Sequence, residues 1–122
     1  MNSARSIEDY IAEIVECGTR ATGYLAGMAF EEFERDDRTQ YAVAKCIELC
    51  GEAAHNIGKI DNTIPSQFPE FDIRSAYGMR NILAHAYYSM RLRVLWTTAR
   101  ESLPEFVEIA RKILESRRST IP

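Results

Sequence analysis

Long hydrophobic runs are missing from this 122-residue chain. No stretch approaches the roughly 18–20 apolar residues that a membrane-spanning helix requires. The opening MNSARSIEDY lacks the apolar segment of a secretory signal, so a cytoplasmic protein without membrane contact is expected. Strict alternation of apolar and polar residues is essentially absent too, which leaves no basis for a sheet. Glycines and prolines are few, at 6 and 4, and no repeat, low-complexity tract or linker divides the sequence. The length suits one domain spanning 1–122, large enough to bury a core.

Cysteine is scarce as well. Three cysteines, an odd and sparse count, make a poor disulfide framework. Cys46 and Cys50 are four apart and share a helix face, with His55 close in sequence. Their spacing matches no familiar zinc pattern and no fourth ligand is evident, so they read as core. No metal and no cofactor are expected.

Basic character is limited. The net charge of −3 argues against a protein coated in nucleic-acid-binding patches. The distribution is uneven, however. Residues 71–100 carry Arg74, Arg80, Arg91, Arg93 and Arg100 against Asp72 alone, a local balance of +4 that leaves −7 for the rest. Five arginines without a lysine suggest an anion site on an acidic body, although solvated helix faces would give the same pattern.

What the chain does have is helical periodicity. Ile7, Ile11, Ile14, Ala21, Leu25 and Met28 fall at three- and four-residue steps, with Ser6 as N-cap and Asp9 three residues on. Gly18, Gly23 and Gly27 weaken the end of this first helix. EEFERDDRTQ is a charged connection in which Asp36 or Asp37 caps the next helix. There Val43, Cys46, Ile47, Cys50, Ala54 and Ile57 make a second stripe, with Glu48, Glu52 and His55 off it. Gly58 and DNTIPSQFPEF break the chain, Pro65 and Pro69 acting as stops. A third helix is predicted from about Asp72 to the tyrosines at 87 and 88. The fourth places Leu92, Leu95, Trp96, Ala99, Leu103, Phe106, Ala110 and Ile113 on one face, and Pro104 should kink it. Four such stripes predict an all-α, antiparallel four-helix bundle.

The third helix carries the polar chemistry. On a wheel of about 100° per residue, Met79, Ile82, Leu83, Ala86 and Met90 form the core sector. Arg80, Ala84 and Tyr87 then make one ridge, and Asn81, His85 and Tyr88 the next, with Asn81 placed to hold the imidazole. Arginine offers phosphate a rigid fork of donors and stays charged. Histidine, with a reference pKa near ~6.5, exchanges a proton at neutrality. Together they suit cleavage of an RNA phosphodiester: the imidazole takes the ribose 2′-hydroxyl proton and the guanidinium steadies charge at phosphorus. One His85 supplies a single proton-transfer group, and His55 has no evident place in the same pocket. A second His85 from a symmetry mate would complete the pair, so a homodimer with a composite site is expected.

RNILAHAYY resembles the arginine, four residues, histidine, any residue, tyrosine signature of HepT-like ribonuclease toxins, members of the HEPN superfamily of small helical proteins. The likeness covers nearly the whole chain. FEEFERDDRTQYAVAKCIELCGEAAHNIG is similar to the family's second-helix region, and VLWTTARESLPEF resembles its final helix. The resemblance implies a homodimeric, metal-independent endoribonuclease toxin acting on cellular RNA. It implies Arg80 and His85 as the catalytic pair and Asn81 as the supporting polar residue. Tyr87 matches the tyrosine that an MNT-type nucleotidyltransferase antitoxin modifies with AMP, on the ridge of Arg80, where added phosphates would block RNA. Arg74, Arg91 and Arg93 are candidate RNA-phosphate contacts. Where the family usually has an aspartate after the tyrosine, this chain has SMRLR, with Ser89 as the expected substitute N-cap. A second reading makes the same bundle a non-catalytic nucleotide-binding subunit of a minimal nucleotidyltransferase. A third is a purely structural dimerisation partner.

Overall fold

A computed structural model describes residues 4–119, whose regular structure is all helical, with no strand among the described residues. Seven α-helices follow one another: α1 Ile7–Tyr24, α2 Phe30–Glu34, α3 Asp37–Ile60, α4 Ile64–Gln67, α5 Ile73–His85, α6 Leu92–Thr97 and α7 Leu103–Ser119. A π-turn, Thr98–Ser102, joins α6 to α7, so residues 92–119 run as one long rod. The four long pieces are therefore α1, α3, α5 and the α6–α7 rod.

Caps start the helices where expected. Ser6 and Asp9 form a reciprocal capping box on α1. Asp36 is the residue that caps α3, accepting from the Thr39 amide at 3.1 Å, and Asp72 does the same for α5 through Ser75 at 3.0 Å. The glycines do not stop α1 early. It passes through Gly18 and Gly23, and the chain turns at Gly27 with a φ of +73°.

Cross-helix neighbours give the directions. Glu8 pairs with Arg117 and Gly18 lies against Val107, so α1 and α7 are antiparallel. Gly58 meets Ile73, His55 meets Tyr77 and Glu52 meets Arg80, so α3 and α5 are antiparallel as well. The Cys50 thiol donates to the Ile14 carbonyl at 3.7 Å, tying the middle of α3 to α1. The first two apolar stripes and the rod's Leu95, Ala99, Leu103, Ala110 and Ile113 meet in a single core, and Cys46 and Cys50 are buried in it. Burial pushes the Cys50 thiol far above its ordinary value.

Two parts of the bundle depart from the sequence expectation, and a third gives it a specific form. The charged connection folds into α2, whose Phe33 is fully buried against Trp96 at 5.4 Å. Pro65 does not simply stop the chain; it sits in the first turn of the short α4, which buries Ile64. Pro104 produces a π-turn just ahead of itself. Its missing N–H removes a hydrogen bond, and the Leu103 amide reaches back five residues to the Thr98 carbonyl instead. No helix is long and apolar enough to cross a membrane, among the described residues.

The candidate active site on the α3–α5 face

Gly51 brings α5 onto α3. A Cβ at Gly51 would lie 2.5 Å from the Ala76 carbonyl oxygen and 2.7 Å from the Arg80 Cβ. The hydrogen side chain therefore lets the two backbones approach at the point where Arg80 leaves α5.

That approach places Arg80 beside Glu52. Its Nε is 2.9 Å from the Glu52 carboxylate, and both atoms are buried. The N–H is not aimed along this line, so the contact is an ion pair rather than an aligned hydrogen bond. Nη1 donates to Asn81 Oδ1 at 2.9 Å, and the guanidinium carbon lies 5.7 Å from the Tyr77 ring. Among the described residues these contacts leave Nη2 unengaged, and the side chain is one quarter exposed. The result is a pre-aimed cation with one free edge. Asn81 thus holds the arginine, not the imidazole.

His85 is the last residue of α5 and is exposed. The helix does not continue to the tyrosines. Ala86 turns out of it, with φ −142° and ψ 42°, and Tyr87–Ser89 form a 3₁₀ turn. Tyr87 stacks on Tyr41 of α3 with centroids 5.0 Å apart, and Ser89 donates its hydroxyl to the Ala86 carbonyl at 2.7 Å. These contacts outweigh the modest helix propensity of Ala-Tyr-Tyr-Ser. The helical-wheel ridge joining Arg80 to Tyr87 therefore does not exist. The expected core sector is also only partly buried. Leu83 is inside and Met79 and Met90 pack at its edge, but Ile82 is 42% exposed and Ala86 lies at the surface.

The remaining candidates separate. Arg93 places its guanidinium over the Phe30 ring at 3.7 Å, so it is occupied on the α2 side. Arg91 is the exposed N-cap residue of α6, without a side-chain cap, and Ser89 does not take that role. Arg74 is exposed in the first turn of α5. His55 stacks on Tyr77 at 3.7 Å and 7°, the same ring that Arg80 approaches. Sequence reasoning missed Glu52, Gly51 and Tyr77. The Gly-Glu-Ala at 51–53 was visible, but nothing in it says that the glutamate faces Arg80 on another helix.

A cleft of about 330 Å³ opens on the other side of α5, towards α7. Glu70, Asp72 and Glu105 line it and none of its lining residues is basic, so its charge is wrong for phosphate. The Arg80 face offers a guanidinium instead.

The fold and this face define a class: a small antiparallel helical bundle with an arginine held by a carboxylate and an amide, and an exposed histidine closing the same helix. Comparison with known proteins places it further. Residues 7–113 match the family model described as "Ribonuclease HepT-like", and the chain belongs to that family. It is 37% identical over 100 residues to "Probable ribonuclease HepT" of Thermococcus cleftensis, covering 82% of this chain and 88% of that one. It is 30% identical over 111 residues to "Putative RNase MJ1216" of Methanocaldococcus jannaschii, covering 91% and 89%. A second protein of that organism, "Putative RNase MJ0125", is 29% identical over 111 residues, covering 91% and 93%. No solved structure matches the chain.

Proposed function

We propose that this protein is an endoribonuclease toxin that cleaves cellular RNA by metal-independent transesterification, with Arg80 and His85 as its catalytic pair. The observation that carries the reading is the pre-aimed guanidinium. Glu52 and Asn81 hold two of its nitrogens, and the side chain stays one quarter exposed on the helix that ends in His85. Membership of the HepT-like family supports the choice of RNA as substrate.

The chemistry follows from these groups. The His85 imidazole removes the proton from a ribose 2′-hydroxyl, and the 2′-oxygen attacks the adjacent phosphorus. Arg80 offsets the additional negative charge on the phosphoryl oxygens in the transition state. The bond from phosphorus to the 5′-oxygen then breaks, leaving a 2′,3′-cyclic phosphate. The departing 5′-oxygen takes a proton, which His85 of a second copy supplies at a composite site. The exposed Ile82, on the same helix, leaves apolar surface that a second copy can cover. Arg74 and Arg91 remain exposed for the RNA backbone.

Control resides in Tyr87. A nucleotidyltransferase antitoxin of the MNT type adds AMP to its phenol, and the added phosphates repel RNA two residues past His85. Burial, with smaller effects of Tyr88 and Asp37, holds this phenol above its ordinary value, so the transferase must supply the base that removes its proton.

Expression in cells tests the assignment. Arg80→Ala and His85→Ala each abolish growth arrest while leaving circular dichroism and thermal unfolding unchanged. Toxicity that survives both substitutions refutes the pair. Sedimentation shows a dimer for the active protein; a monomer that still cleaves RNA removes the composite site. Mass spectrometry after incubation with the antitoxin and ATP finds the adduct on Tyr87, and an adduct on Tyr88 contradicts that part.

A further inference from the structure

Past His85 the chain gathers three phenols. Tyr41, on the second turn of α3, stacks on Tyr87 with centroids 5.0 Å apart and planes 19° from parallel. Tyr88 meets the Tyr87 ring edge-on at 5.4 Å and 80°. The Tyr41 and Tyr88 hydroxyls lie 3.2 Å apart, within hydrogen-bond distance. Yet Tyr88 is 90% exposed and Tyr41 49%. A ring this exposed usually moves freely; this one is held by a hydroxyl contact and a neighbouring ring, with its faces open.

The charge around the cluster says what can lie on it. The Tyr41 phenol is held above its ordinary value, first by its bond to Tyr88, with the Asp37 carboxylate among the lesser causes. The same carboxylate acts on Tyr87. A phosphate is repelled by Asp37, whereas an uncharged flat ring is not. Aromatic side chains bind nucleobases through their faces whatever the base. The base must first be free of its own helix, which selects single-stranded RNA.

We propose that Tyr88, braced by Tyr41, is a stacking platform for a nucleobase of single-stranded RNA, three residues past His85. The inference rests on the ribonuclease reading and adds to it how the substrate is gripped: Arg80 takes the phosphate and the phenols take a base.

Binding in the His85→Ala background, where the RNA stays intact, tests the platform. The probes are a fluorescein-labelled single-stranded oligoribonucleotide of mixed sequence and the same strand with abasic residues in place of its nucleosides. Adding Tyr88→Ala raises Kd for the base-bearing strand roughly 5- to 150-fold. It leaves Kd for the abasic strand unchanged, and Tyr88→Trp, which keeps an aromatic face, restores binding. Tyr88 is almost wholly exposed, so these variants fold. Equal loss on both strands, or a change of oligomeric state on sedimentation, makes Tyr88 a backbone or protein contact and overturns the platform. Undiminished RNA binding by Tyr88→Ala overturns the platform and leaves the ribonuclease reading standing. A parent protein that binds neither strand overturns both.

Discussion

Glu52 of α3 and Arg80 of α5 form an interhelical ion pair at 2.9 Å, one residue from the point where Gly51 lets the two backbones meet. The Glu52 side chain as a whole is 42% exposed, so the pair adds little to stability. Its effect is to fix where the guanidinium points. Glu52→Gln keeps the shape and removes the charge. RNA cleavage should fall roughly 10- to 100-fold, in kcat more than in KM, with thermal unfolding little changed. Cleavage at the wild-type rate by this variant shows that Arg80 needs no such anchor.

Gly51→Ala tests the close approach itself. The new methyl meets the Ala76 carbonyl and the Arg80 Cβ, atoms at the root of α5 that cannot swing aside. Displacing α5 should cost about 1–3 kcal/mol in urea unfolding and reduce cleavage along with stability. Full stability and full activity together contradict the packing described.

Gly18→Ala makes the same kind of clash far from the site, against Val107 Cγ2 between α1 and α7. It should destabilise by about 1–3 kcal/mol, and Val107→Ala should restore part of that loss in the double variant. Cleavage measured below the unfolding transition should be unaffected. Additive losses in the double variant rule out the contact as the cause.

Acid stability follows from the caps. Asp9 is held below its ordinary value by the Ser6 amide, Asp36 by the Thr39 hydroxyl and Asp72 by the Ser75 amide; Glu8 is lowered by Arg117. Each group binds fewer protons folded than unfolded. The stability they contribute is complete above the unfolded value of about 4 and is lost as pH falls through the lower folded values. These groups give no slope between pH 7 and 5, and the unfolding midpoint drops below about pH 4. In Asp36→Asn, which still caps, that drop is smaller. An unchanged acid profile in this variant removes Asp36 from the account.

Much of the architecture was legible because it is local. Ser6, Asp36 and Asp72 announce helix starts, and the spacing from Ile7 to Ile14 and from Val43 to Ile57 gives the buried faces directly. Arg80 and His85 stood out as polar residues on one helix. What periodicity could not show depends on contacts across the chain. The end of α5 at His85 is decided by Tyr41, some forty residues away, which draws Tyr87 and Tyr88 out of register. The wheel placed Ile82 inside because it assumed a neighbour on every side, whereas α5 leans on α3 and is open towards α7. The wheel gave Asn81 to His85, one turn on, whereas its neighbour Arg80 takes the amide oxygen.

The central claim is transesterification by Arg80 and His85 without a metal. Purified protein incubated with a defined RNA in excess EDTA, with the product ends read by mass spectrometry, tests it most directly. The account predicts 2′,3′-cyclic phosphate and 5′-hydroxyl ends, produced roughly 100- to 10,000-fold more slowly by His85→Ala. Cleavage that stops in EDTA, or that leaves 5′-phosphate ends, contradicts it.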